Sequence, residues 1–421
     1  MTFDTAISGM AAATSDLNVI GNNIANSSTT GFKSSRAEFG DVYATSVLGV
    51  SSKAIGAGVT LSAVTQQFAQ GNIDFTSSSL DLAINGDGFF VLSDETGQSF
   101  TRAGNFQVNE AGFVVTPAGA ELQAYAADAN GNLTGQLGSI QLDTSLIDPG
   151  PTVNVDVTAN LDSREAAPII PFAAPFDAFA VPPTAPDTES YNASSSTTVY
   201  DGQGNPHTLD MYYVKSAIAN EWDVYTLIDG VSTSGPDTLT FEQNGQFAAA
   251  NLPALATITG WQPLDAAGNS NNTAVQDITI DFSTGTQFGT AFGVSFLAQD
   301  GFAAGQLSGI NVDDTGIFFA RYTNGQSRAL GQVALAGFNS PTGLQPVGNT
   351  SWLETFGSGP ATIGEPGTGG LGVIQSGALE DSNVELTQEL VDMIIAQRNF
   401  QAAAQVIQTA DTITQSIINI R

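Results

Sequence analysis

The sequence predicts a mainly β protein with terminal α-helices, and three observations predict it. Apolar residues step by three and four along the first 25 residues. They do so again, over a longer span free of Gly and Pro, along the last forty. Between these ends, short alternating apolar runs are divided by Gly, Asn and Asp turns, in a chain of 421 residues with 45 Gly and 17 Pro.

Composition narrows the function classes. The length allows two to four domains. Charged residues are only 12% of the chain, a composition of turn-rich β structure rather than of a helical enzyme. The absence of cysteine excludes a disulfide framework and thiol chemistry. A formal net charge of −31 argues against binding to nucleic acid or to an anionic membrane. Residues 71–370 hold 31 of the 41 acidic groups but only five bases, Arg102, Arg164, Lys215, Arg321 and Arg328. Near-neutral, apolar-striped ends joined to a charged middle predict buried ends and a solvent-facing middle. The acidity itself reads as solubility, or life in salty water, rather than as a specific site. Met1-Thr2-Phe3-Asp4 lacks a basic n-region and an uninterrupted apolar h-region, so no cleaved signal peptide is expected. No apolar run reaches the length of about 18 residues that a membrane-spanning helix needs, so no membrane insertion is expected.

The N-terminal helix is expected over residues 2–25. Phe3, Ala6, Met10, Ala13, Leu17, Ile20 and Ile24 form a heptad seam. Gly21, Asn22 and Asn23 weaken its end, and the run Asn26 to Gly31 breaks it. The C-terminal helix is expected from Asn383 to Arg421, with Ser382 and Glu385 as a capping box. Its stripe is Leu386, Leu390, Met393, Ala396, Phe400, Ala403, Val406, Ala410, Ile413, Ile417 and Ile420. At about 1.5 Å per residue it is about 58 Å long, more than a small domain can cover. Its stripe therefore needs another helix or another chain. A single seam at each end of one chain predicts helices that zip together or assemble between molecules. Without a partner such helices stay wet and marginal. Both termini are therefore expected to be largely disordered in the free chain, around a protease-resistant core of about 72–356.

The motif Asn22-Asn23-Ile24-Ala25-Asn26, followed by Thr30-Gly31-Phe32-Lys33, resembles the N-terminal motif of the bacterial flagellar rod and hook family of axial proteins. Further resemblance lies in Asp81 to Phe90, in Phe100-Thr101-Arg102-Ala103-Gly104-Asn105-Phe106 and in Val115 to Gly119. It continues in Gly316 to Gln326, in Leu330 to Ala336, and in Ser382 to Leu386 with Ala396-Gln397-Arg398-Asn399-Phe400. These runs come from both halves of the chain and occur in order.

Between the motifs, residues 34–79 are polar and Gly-interrupted and are expected as extended segments and loops. Leu80, Leu82 and Ile84 alternate before an Asn85–Gly88 turn and the strand Phe89 to Leu92. Asp128 to Asn132 suggests a calcium loop, but Leu133 and Ser139 occupy the positions where Gly and Glu are needed, so a plain turn is expected. Asp148 to Pro151 marks a domain boundary. Six prolines crowd residues 168–186, an expected exposed loop that Phe172, Phe176 and Phe179 pin to its own domain or to a neighbour. Alternation at Leu209, Met211 and Tyr213, and at Trp222, Val224 and Thr226, marks further strands, as do Ile278, Ile280 and Phe282. Asn324-Gly325 is a hairpin turn. Gly-rich 357–372 is expected as a flexible connector. The sole histidine, His207, beside Pro206, is expected to be an inert loop residue rather than part of a Ser-His-Asp site. Phosphate-binding, HExxH and Cys/His metal motifs are absent from the sequence, and no enzyme, cofactor or metal is implied.

The resemblance implies nested, discontinuous β-domains capped by an N- and C-terminal helical coiled-coil pair. The expected parts are an assembly domain of 1–30 and 380–421, a connector of 31–71 and 357–379, an inner β-domain of 72–148 and 284–356, and an outer β-domain of 149–283. The long insert makes the chain similar to the hook-type members rather than the shorter rod subunits. The implied function is a structural subunit that polymerises with itself into a curved, flexible tube transmitting torque from rod to filament. The alternatives are a straight distal-rod-like subunit or a secreted acidic β-protein. The implied partners are the distal rod protein, the hook cap scaffold, the hook–filament junction protein and the flagellar type III export apparatus. The implied location is extracellular, in the hook and basal body. The expected assembly interface is Phe3, Met10, Leu17, Ile20, Ile24, Leu386, Leu390, Met393, Phe400, Val406, Ile413, Ile417 and Ile420. The family motif falls on Asn22, Asn23, Asn26, Gly31, Phe32, Gln397, Arg398 and Asn399.

Overall fold

The structure is a computed structural model, and it describes all residues except Met1, 43–55, 95–96, 129–130, 143–144, 174–177, 180–183, 249–254, 265–267 and 420–421. Helix α1 spans Thr2–Ala25 and helix α2 spans Leu386–Asn419, with β-strands making up the regular structure between them. The chain divides into two compact units. The first is Met1–Thr144, Gly309–Arg321 and Ser327–Arg421; the second is Ser145–Ser308 and Tyr322–Gln326.

The second unit is a β-sandwich. Its described strands form two four-stranded sheets. One carries Ala193–Tyr200, Pro206–Lys215, Glu221–Ile228 and Val231–Thr240 as an antiparallel meander. In the other, Asn154–Asn160 pairs parallel with Gln276–Asp281 and antiparallel with Gly293–Gln299. Leu209, Met211, Tyr213, Trp222 and Val224 from the first sheet meet Val155, Val157, Ile278 and Ile280 from the second in one dry core. These are the alternating residues, because a strand with one buried face must place every second side chain inward. Phe172 stacks on Tyr225 at 4.4 Å and pins the Pro-rich loop to its own unit, while Phe176 lies outside the described residues. The expected boundary at 283 moves. Gly293–Gln299 pairs along Asn154–Asn160, so residues up to Ser308 belong with this unit. The alternation that ended at Phe282 marked the end of a strand and not of a domain.

The first unit is built on a large sheet whose described pairings are antiparallel. Its strand Phe89–Asp94 is buried on both faces: Phe90 and Leu92 enter one core, and Phe89 and Val91 enter another with Phe100 and Trp352. That is why its sequence is a continuous apolar run rather than an alternation. Ile317–Tyr322 and Ser327–Val333 pair as the expected hairpin, with Gly325 at φ 83° in its turn. Asp128 Oδ1 accepts the Asn132 N–H at 2.8 Å, and the Asp128 carbonyl accepts Gly131 N at 3.0 Å.

The two stretches expected as connectors are woven into this unit. Ser35–Val42 pairs with Gly58–Gln66. Thr362–Gly364 pairs with Leu335–Gly337, Val373–Ser376 with Leu82–Asn85, and Ala378–Glu380 with Ile73–Phe75. Glycine there serves close packing as well as turning: a Cβ on Gly372 would lie 2.5 Å from the Asn85 carbonyl oxygen.

Candidate assembly site

The two terminal helices pack together. They run antiparallel: a side-chain carbon at Gly9 would sit 4.0 Å from Ala403 Cβ, while Asn23, further along α1, bonds Glu389 near the start of α2. On α1 the seam is as the spacing predicts. Ala6, Ala13 and Ile20, seven apart, are buried, and Met10, Leu17 and Ile24 are half-buried. Phe3, in the first turn, is exposed.

Helix α2 begins later than expected. Asn383 is held outside it, its side chain donating to Gln67 O at 2.7 Å and Ala69 O at 3.1 Å and accepting from Ser34 N at 2.7 Å. The Ser382 hydroxyl accepts from Val384 N, so it closes a local turn and not a capping box. Along the 34 residues of α2, Ala396 is buried, and Met393, Phe400, Ala403 and Ala410 are half-buried. Leu386, Leu390, Val406 and Ile413 of the expected stripe are exposed. Ile417 falls on the helical backbone near the end of α2, and Ile420 lies outside the described residues. The stripe is therefore only partly covered. A second apolar row that the three-and-four stepping passed over, Val391, Ile394 and Ile395, is also about half exposed. Gln397, Arg398 and Asn399 are exposed.

The motif residues of the N-terminal end fasten α1 to the segment after it. Asn23 is buried, its Nδ2 donating to Ser35 O at 2.8 Å and to Glu389 Oε1 at 2.9 Å and its Oδ1 accepting Ser35 N at 2.9 Å. Asn22 is exposed, but its carbonyl takes the Asn26 side-chain N–H at 2.9 Å, closing the last turn. Gly31 has φ 68°, and a Cβ there would lie 2.5 Å from Ala103 N, so only glycine fits. Phe32 is half-buried, and its carbonyl accepts Asn383 N.

Three acids meet where the helices cross. Glu389 is raised above the usual carboxylate range, by burial first, against the Asn23 hydrogen bond, with Asp392 and Asp16 adding like-charge repulsion. Asp16 is raised by burial and by Asp392.

Sequence reasoning missed a buried charge cluster beneath the helices. Lys33 Nζ lies 2.6 Å from Glu380 Oε1, and Arg102 Nη1 lies 3.1 Å from Glu380 Oε2. The Lys33 and Glu380 side chains are fully buried. Burial pushes both bases down, and Glu380 pulls both back up. The available signal was context: Lys33 and Arg102, two of only ten bases, sit within apolar and Gly-rich motif runs rather than on a polar face.

His207 lies on the strand Pro206–Lys215, not in a loop. Its Nδ1 is 2.6 Å from Asp229 Oδ2 and its Nε2 is 3.6 Å from Asp201 Oδ2. Both ring nitrogens face carboxylates, so neither addresses a nucleophile as a Ser-His-Asp site requires.

Four family models match the chain in order: flagella basal body rod protein at 3–33, flagellar hook protein FlgE/F/G D1 domain at 83–160, flagellar basal body protein FlaE D2 domain at 160–302, and flagellar basal body rod FlgEFG protein C-terminal at 375–420. The flagellar hook protein FlgE of Escherichia coli is 36% identical, with all of both chains covered. That of Borreliella burgdorferi is 32% identical over 99% of this chain and 98% of its own. The crystal structure of Helicobacter pylori flagellar hook protein FlgE2 shares the fold at TM-score 0.53 and 14% identity, covering 73% of this chain and 100% of that one.

Proposed function

This chain belongs to the flagellar hook protein family, and from that premise we propose how it works: it is a structural subunit of the bacterial flagellar hook that polymerises with itself into a curved, flexible tube. One observation carries the assembly reading. Leu386, Leu390, Val391, Ile394 and Ile395 are large apolar residues about half exposed on a single helix. At about 1.5 Å per residue α2 is about 51 Å long, far more than α1 alone covers. Neighbouring copies supply the missing surface. The terminal helices make the firm apolar contacts, and the acidic β-units, whose faces are solvated, make contacts weak enough to slide as the tube bends. The distal rod protein, hook cap scaffold, hook–filament junction protein and type III export apparatus are the proposed partners, and the extracellular hook is the proposed location. None of the helices among the described residues is long and apolar enough to cross a membrane.

Electron microscopy of the polymerised chain tests this. Curved tubes are expected. Straight, rigid tubes would favour the distal-rod-like reading, and no polymer under any condition would contradict both.

A further inference from the structure

All three oxygens of Glu380 accept hydrogen bonds, from three separate stretches of the chain. Its Oε1 accepts Lys33 Nζ at 2.6 Å and Gly71 N at 2.8 Å, and its Oε2 accepts Arg102 Nη1 at 3.1 Å. Its backbone carbonyl accepts Gly31 N at 2.8 Å. Lys33 Nζ also donates to Ala69 O at 2.8 Å. Arg102 Nη2 donates to Gly86 O at 2.8 Å, and the guanidinium lies 5.5 Å from the centre of the Phe89 ring. One carboxylate thus bridges two buried cations, one from the segment after α1 and one just past the strand Gly97–Thr101, while itself belonging to the segment before α2.

Neither terminal segment can leave alone without a penalty: departure of Glu380 strands two buried cations, and departure of Lys33 strips a buried carboxylate of hydrogen bonds. If the strand Ala378–Glu380 peels away, Lys33 and Arg102 lose the carboxylate that they share. If Lys33 withdraws, Glu380 keeps Arg102 but loses both its shortest contact and the Gly31 N–H. Uncompensated charge in a dry site is costly, so the two departures are coupled. We propose that Glu380 is a latch shared by both ends of the chain, which makes residues 31–35 and 377–383 dock on the rest of the first unit, and leave it, as one cooperative unit. This goes beyond the assembly reading, because it concerns the single chain before any neighbour is present.

Hydrogen exchange read by mass spectrometry on the dilute, full-length chain tests it with Lys33→Met, Glu380→Gln and the double variant. Lys33→Met is expected to lower the protection of the paired strands Ile73–Phe75 and Ala378–Glu380 by on the order of 100-fold, although Lys33 donates to no backbone group of either. Glu380→Gln is expected to expose the amides of Gly31 and Ser34, which bond Glu380 O and Asn383 Oδ1, to a similar degree. The double variant is expected to match Glu380→Gln alone, because both changes break one shared contact. The strands Pro206–Lys215 and Glu221–Ile228 in the second unit serve as the folded control. Lys33→Met keeps the Arg102–Glu380 pair, so it decides the matter if Glu380→Gln unfolds the first unit outright. The latch is overturned if Lys33→Met loosens only residues around 31–35, or if the two single effects add. A chain that polymerises without this linkage loses the latch and keeps the assembly reading; linkage in a chain that never polymerises does the reverse.

Discussion

Strand Glu221–Ile228 and helix α2 bury their large apolar residues to opposite extents: Trp222 is 1% exposed, Ile395 49%. The strand lies in a sandwich whose two sheets supply each other's cover, so its core is complete within one chain. The helix has one partner helix for an element with apolar residues on more than one face. The difference separates two kinds of stability. The sandwich completes its core within its own unit, whereas the terminal helices leave large apolar surface uncovered, the surface that we propose copies of the same chain cover.

That contrast can be broken or sharpened by substitution. The largest effect on the free chain is expected from Trp222→Ala, which removes a large buried side chain from the sandwich core and costs about 3–5 kcal/mol. Denaturant unfolding of the second unit measures it; a loss below about 1 kcal/mol would mean that the core is less self-sufficient than its burial implies. Ile395→Asp on α2 is expected to shift the unfolding of the free chain by no more than about 0.5 kcal/mol, as at other exposed positions. It is nevertheless expected to abolish polymerisation, read by sedimentation, and so is Ile413→Asp. Normal polymers from both variants would remove α2 from the interface.

The smallest effect comes from pH. Burial and mutual repulsion raise Glu389 and Asp16 in the folded helix pair. A carboxyl raised by folding binds its proton more tightly in the folded state, so the pair loses stability as pH rises through the folded value and regains it as pH falls. Protection of the helix crossing, corrected for intrinsic exchange, is expected to increase modestly between neutral pH and the upper carboxylate range. Asp392→Asn is expected to reproduce part of that gain at neutral pH. Protection that falls on mild acidification would reverse the sign and contradict the assignment.

Much of this was legible in the sequence, and the limits have physical causes. Ala6, Ala13 and Ile20 repeat every seven residues, so their burial followed from helical geometry alone. The alternation in 209–213 gave a strand because period two is local information, and the run Phe89 to Leu92 gave one because a short apolar run bounded by turn residues is local too. Residues 357–379 were harder. Glycine there signals freedom when read locally, and Asn85, whose close approach requires Gly372, lies far away in sequence. The Glu380 cluster was hidden for the same reason, since Lys33 and Glu380 are 347 residues apart and a charged residue read alone is assigned to the surface. The exposed row Val391, Ile394 and Ile395 was present in the sequence, but which of two apolar rows is covered depends on the partner and not on the helix.

The cover that α2 lacks is tested most directly by limited proteolysis of the dilute, full-length chain, with fragments read by mass spectrometry. Cleavage is expected within α1 and within α2. The resistant core is expected to run from about 31 to about 383, not from 72 to 356, because the segments flanking the helices bond to each other and to Ile73–Phe75. Polymerisation is expected to protect both helices. Helices that resist protease in the dilute chain as well as Glu221–Ile228 does would contradict the account.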